Sequence, residues 1–176
     1  MGTPGPHGAP ICIARSLTEV KVENDAALKN LLTFPIAGAK LGDIYSLHAW
    51  GQRLNNKGES VTIKFKVVLG ATVIGETQAL TEATAANPAF WEFDTEIVVG
   101  SASLAVQGGH TRLLMGSTSV ATTLPLTTGP TAGVGVVAGT ENLAESKELK
   151  LQVQHSVADA EIKAILKGFI LRRERA

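Results

Sequence analysis

From residue 60 to residue 70 the chain reads SVTIKFKVVLG. Val61, Ile63, Phe65, Val67 and Leu69 fall on every second position, with Thr62, Lys64, Lys66 and Val68 between them. A period of two is strand geometry: successive side chains leave the pleat on opposite faces, so this segment carries an apolar face that needs a cover. The period recurs downstream. In FWEFDTEIVVG, Trp91, Phe93, Thr95, Ile97 and Val99 share one face while Glu92, Asp94 and Glu96 share the other. In KELKLQVQH, Leu149, Leu151 and Val153 face in, and Lys150, Gln152 and Gln154 face out. TEVKVE puts Val20 and Val22 on one face, and GDIYSLHAWGQR has the aromatic and β-branched content of a strand.

Turn signals separate these runs. LKNLLTF ends before Pro35, and Gly38 and Gly42 follow. NNKG, within LNNKGE, supplies the positive φ of a tight hairpin, and ATVIGE resumes after Gly70, so residues 41–76 predict a meander. TQALTEATAANPA fits a short helix stopped at Pro88 and a long hairpin loop equally well. SASLAVQG, HTRLLM, SVATTLPL and VGVVAG are shorter strand-like runs. In the last run, residues 161–173, the spacing of Ile162, Ile165, Leu166, Phe169 and Ile170 also suits a helix; Gly168 and the surrounding strands favour a strand. About nine or ten short strands at this spacing predict an all-β antiparallel sandwich or barrel. The cover for SVTIKFKVVLG is then a second sheet about 10 Å away, bearing apolar faces such as that of WEFDTEIVV.

The first ten residues, MGTPGPHGAP, hold three glycines and three prolines and cannot join a helix or a central strand. Residues 1–13 are read as an extended N-terminal arm ending in the apolar ICI, and 14–176 as a single β-sandwich domain. Gly2 after Met1 resembles a myristoylation start, but Pro4 and the small residues around it favour an arm over a lipid anchor. The segment has no basic stretch followed by an apolar one, so it is not read as a secretory signal. No apolar run of 18 residues is present for a membrane-spanning helix.

Lysine plus arginine equals aspartate plus glutamate, at 16 each, so no global field points to nucleic acid or a membrane as partner. Arg172, Arg173 and Arg175 form the one basic cluster and read as a solvated end. The single cysteine, Cys12, excludes an internal disulfide, and between Ile11 and Ile13 it reads as a small, inert, packed thiol.

Candidate chemistry is sparse. Gly133, Gly135 and Ala138 match a dinucleotide fingerprint by letter, but no strand–helix unit surrounds them. His7, His48, His110 and His155 have no metal-ligand spacing between them, and no metal or other cofactor is expected. Glu92, Asp94 and Glu96 on one strand face admit half of a glycosidase pair or a calcium site. Cross-strand or subunit pairing with an outward row of Lys64 and Lys66, or plain solvation, is the simpler reading. No Gly-x-Ser-x-Gly elbow, HExxH, phosphate-binding loop or CxxC occurs, so no catalytic residue is assigned. Trp50 and Trp91 are the aromatic candidates for a sugar-binding groove, and both read as core.

The stretch GDIYSLHAWGQRLNNKGESVTIKFKVVLGATVIGE, residues 42–76, resembles a recurring pattern in structural proteins of tailed bacteriophages. There a GD strand ending in AWG, an NN-x-G turn, an alternating V-x-I-x-F-K-V-x-LG strand and a T-x-I follow in order. WEFDTEIVVGSASLAVQGG is similar to the next part of that pattern, so the likeness runs from Leu41 to Gly109 and more weakly through the closing strands. It implies a jelly-roll-like β-sandwich built into a virion, commonly as a homotrimer. In it, Asn55, Asn56 and Gly58 make the turn, and Trp50 and Trp91 fill the core.

The expected function is that of a non-enzymatic capsid decoration or cement protein, bound to the major capsid protein or other virion proteins. The rivals are a tail or fibre protein recognising a host glycan, and a glycan-processing enzyme using Glu92, Asp94 or Glu96. The candidate interface residues are Pro4, Pro6, Pro10, Ile11 and Ile13 of the arm, with Arg172 and Arg173 near the C-terminus.

Overall fold

The computed structural model describes residues 9–77, 79–100, 106–108, 111–116, 121–124, 126–128 and 141–175. Among the described residues there are strands and no helix. In chain order they are β1 (Ile11–Ser16), β2 (Val20–Glu23), β3 (Lys29–Ile36), β4 (Ile44–Asn55), β5 (Val61–Leu69), β6 (Thr72–Thr77) and β7 (Leu80–Glu82). These are followed by β8 (Ala89–Val99), β9 (Val106–Gly108), β10 (Thr111–Gly116), β11 (Ala121–Leu124), β12 (Leu126–Thr128), β13 (Lys147–His155) and β14 (Ile162–Glu174).

They form two antiparallel sheets. The eight-stranded sheet runs β1-β14-β4-β8-β10-β11, with β2 also on β14 and β9 on β8. The six-stranded sheet runs β12-β6-β5-β13-β3, with β7 on β5. One apolar core joins them. Val61, Ile63, Phe65, Val67 and Leu69 of β5 are all buried, as are Trp91, Phe93, Thr95, Ile97 and Val99 of β8. The Phe65 and Trp91 rings meet with centroids 5.2 Å apart and planes tilted by 49°. The apolar face of β5 is therefore covered by the opposite sheet, as its alternation predicts. Burying a side chain of this size contributes about 1.5–3 kcal/mol.

β14 carries the device that made its sequence ambiguous. Its register on β4 slips between Leu166 and Gly168, leaving Lys167 as the extra residue of a β-bulge. The bulge re-phases the strand, so that Ile162, Ala164 and Leu166 face the core before it and Phe169 and Leu171 after it. The resulting three-residue step mimics helical spacing within an otherwise regular strand.

Several expectations are corrected. Residues 41–76 do not form a meander: β4 lies in one sheet and β5 in the other, so the 56–60 connection crosses between sheets. Gly58 does take a positive φ of 87°, and buried Asn55 donates its side-chain amide to the Glu59 and Glu82 carbonyls at 2.8 and 2.9 Å. The turn chemistry is present, but it steers the chain across the core. The 77–89 stretch contains the short strand β7 and no helix among its described residues. Pro35 lies inside β3, which is tolerated because β3 is an edge strand. Strand pairing starts at Ile11, opposite Arg173, so Ile11–Ile13 are the first residues of β1 on the sheet edge. Residues 1–8, with Pro4 and Pro6, lie outside the described residues; Pro10 is exposed.

Candidate functional site

The outward face of the eight-stranded sheet concentrates the polar and aromatic groups. On β4, Tyr45, Leu47, Ala49 and Gly51 point to the core, so Ser46, His48 and Trp50 point away. Their register partners on β8 are Glu96, Asp94 and Glu92. On the other side, β14 sets Arg172, Ile170 and Gly168 opposite the same three residues. Beyond β14, the edge strand β1 aligns Cys12 with Arg172 and Arg15 with Ile170.

Trp50 is thus not core, contrary to the sequence reading; it is half-buried on this outer face. Its indole lies over Gly168, where an added Cβ would come within 2.5 Å of Trp50 Cζ2 and 3.0 Å of Leu17 Cδ2. The missing side chain at Gly168 is what lets the indole lie on β14. His48 packs against the same indole, with centroids 5.2 Å apart and planes 31° from parallel. Its Nδ1 sits 2.6 Å from Asp94 Oδ1. His48 therefore braces both the indole and the carboxylate. Two clefts flank this brace. One, of about 270 Å³, is lined by Ser46, His48, Asp94, Glu96 and Arg172 among others. The other, of about 550 Å³, is apolar and is lined by Leu17, Trp50, Phe169 and Ile170 with Arg15 and Ser16.

Trp91, by contrast, is fully buried. Its indole N–H donates to the Gln52 carbonyl at 3.1 Å. It packs beneath Gly51, whose lack of Cβ leaves room for the indole and for the Ile165 carbonyl.

The carboxylate row does not face Lys64 and Lys66, which lie on β5 in the other sheet. Lys64 pairs instead with Glu76 of β6. Among the described residues no group of three or more His, Cys, Asp and Glu side chains is arranged to hold a metal. Cys12 is exposed on β1 and not packed. His155 is buried at the end of β13, and burial pulls its pKa below the usual histidine value while Asp25 pulls the other way. His7, His110, Gly133, Gly135 and Ala138 lie outside the described residues.

The C-terminal arginines divide. Arg172 is exposed and lines the polar cleft. Arg173 is one register further and turns inward. Its guanidinium pairs with the fully buried Asp43, donates to the Gly38 carbonyl at 2.6 Å and lies over the Tyr45 ring at 5.4 Å from its centroid. Asp43 also accepts the Lys40 N–H at 2.7 Å. This pin closes one end of the core. At the other end of β4, Arg53 pairs with the buried Glu82 of β7, linking the two sheets. Burial raises the Glu82 pKa, and the Arg53 guanidinium opposes that rise. Sequence reasoning missed both pins, because the partners are 130 and 29 residues apart. The parity of Trp50 with Ser46 and His48, and of Arg173 with Leu171, is the signal that reveals their facing.

No known family pattern matches the chain, and no curated protein matches it either. Among solved structures the chain is similar to the CBM2 module of the evolved Dit of Lactobacillus casei phage J-1 (strain BL23), at 9% identity and a TM-score of 0.32. The overlap covers 82% of this chain and 69% of that one.

Proposed function

We propose that the protein is a non-enzymatic structural component of a tailed-phage virion, a jelly-roll-like sandwich that decorates or cements the capsid shell. Copies would associate as a trimer on the major capsid protein. The reading rests on the resemblance of residues 42–76 and 91–109 to tailed-phage structural proteins, together with one structural observation. Ile11, Ile13, Leu17 and Val20, four of the seven exposed large hydrophobics among the described residues, fall within ten residues along the β1–β2 edge of the larger sheet. Apolar side chains clustered on a sheet edge suit attachment to another chain. A mechanical role fits the two buried ion pairs that brace the core ends. The outward carboxylates suit a binding or solvated face: their register neighbours on β4 are Ser46, His48 and Trp50, and His48 engages Asp94.

The test is to mix purified protein with undecorated capsid shells and, separately, with isolated tails, and to measure what pellets. Saturable pelleting with shells supports the reading. Pelleting with tails alone would move the chain to the tail, and pelleting with neither would overturn the reading.

A further inference from the structure

Trp50 is the one tryptophan on the surface, since the chain has two and Trp91 is fully buried. Its indole is fixed from three sides: Gly168 beneath it, Leu17 at one edge and the His48 ring against it. A half-exposed aromatic ring held this firmly offers a flat apolar surface at little ordering cost. Beside it the polarity changes within one strand step. Asp94 and Glu96 supply acceptor oxygens, Ser46 a hydroxyl and Arg172 a donating guanidinium, all around the same cleft. From Trp50 to Ser46 is four residues, about 13 Å along the strand. The face thus joins an apolar platform to a mixed set of acceptors and donors without a strong net charge. That combination matches successive sugar units of a chain, each with apolar C–H faces and an equatorial girdle of hydroxyls that both donate and accept. It suits a peptide anchor less well, because one cleft is apolar and the other polar on both hydrogen-bonding counts.

We propose that the outward face of β4 is a carbohydrate-binding site, in which one pyranose unit of a polysaccharide stacks on Trp50 and hydroxyls of the next unit bond to Asp94, Glu96 and Arg172. His48 is a positioning residue: it holds the indole and the Asp94 carboxylate in one arrangement. Leu17 forms the rim of the platform and is itself 79% exposed, so the site opens onto the β1–β2 edge. The site does not depend on the virion position proposed above, and it shares Leu17 with the edge proposed there for attachment.

The experiment is binding of the full-length protein to an array of bacterial surface polysaccharides and their oligosaccharides. Any retained glycan is then titrated in solution by tryptophan emission. Because Trp91 is buried, a ligand-induced change in emission reports on Trp50. Trp50→Ala and Asp94→Asn are expected to weaken binding about tenfold or more. Trp50→Phe, which keeps a ring, is expected to retain most of it, and Arg172→Ala to lose an intermediate amount. Melting temperatures of the four variants, compared with the parent, separate lost binding from lost folding. A glycan retained equally by the parent and by folded Trp50→Ala would overturn this site. No glycan retained at all would also overturn it, while leaving the shell-pelleting result untouched. Screening of Trp50 from acrylamide as protein concentration rises, without glycan, would make this face a contact between copies and overturn the proposal.

Discussion

Phe65 of β5 and Trp91 of β8 meet across the two sheets with ring centroids 5.2 Å apart, and both are fully buried. Phe65 is the central residue of β5's inward face, and Trp91 is the first buried residue of β8's. Removing either leaves a void that the facing sheet cannot fill without moving. Phe65→Ala is expected to cost about 3–5 kcal/mol. Because the residues touch, Phe65→Ala and Trp91→Ala should be non-additive by about 0.5–3 kcal/mol. Urea unfolding of both single variants and the double variant measures this. Full additivity would mean that the sheets do not pack at this point.

Neighbouring arginines should behave differently. Arg173 neutralises the fully buried Asp43, so Arg173→Ala strands a carboxylate in the core and is expected to destabilise by about 3–5 kcal/mol. Arg172 is exposed, and Arg172→Ala is expected to change stability by less than about 0.5 kcal/mol. Denaturation midpoints of the two variants are the measurement; equal midpoints would contradict the inward facing of Arg173.

His155 gives the protein an acid-sensitive term. Burial lowers its pKa below the ordinary 6.5, so the unfolded chain takes up a proton at a higher pH than the folded chain. The sign follows: this contribution to stability is complete above about pH 6.5 and is lost as the pH falls below that value. His155→Leu should therefore flatten the decline in stability between about pH 7.5 and about pH 5.5. The check is urea midpoints for parent and variant at both values. An unchanged slope would show that His155 does not carry the term.

The N-terminal boundary can be tested by truncation. Strand pairing begins at Ile11, so removing residues 1–10 should leave the melting temperature within a few degrees, whereas removing 1–13 deletes half of β1. On the exposed edge, Ile13→Lys and Leu17→Glu should leave folding intact and lower occupancy on capsid shells. Unchanged occupancy at limiting protein would remove this edge as the attachment surface.

The two-sheet fold was legible wherever one face of a strand is dry and the other wet, as in SVTIKFKVVLG and WEFDTEIVV. Alternation reports burial, not partners. That is why β4 and β5 read as a hairpin although they lie in different sheets: NNKG codes a reversal but not which sheet receives the returning strand. β14 was harder, because the bulge at Lys167 inserts a three-residue step into a period of two. Trp50 was misread through residue type, since an aromatic in a strand is a reasonable core residue. Its position, even-numbered beside inward Ala49 and Gly51, already put it outside. The Arg173–Asp43 and Arg53–Glu82 pins were invisible because long-range charge pairing leaves no local pattern. The candidate binding face was half legible: the carboxylate row was seen, but its neighbours were assigned to the wrong sheet.

The central claim is that the chain sits on the outside of a phage head. Its most direct test is immunogold labelling of intact virions with an antibody against this protein, viewed by electron microscopy. The account predicts label distributed over the icosahedral shell. Label confined to the tail or its tip, or no label on any virion, would contradict it.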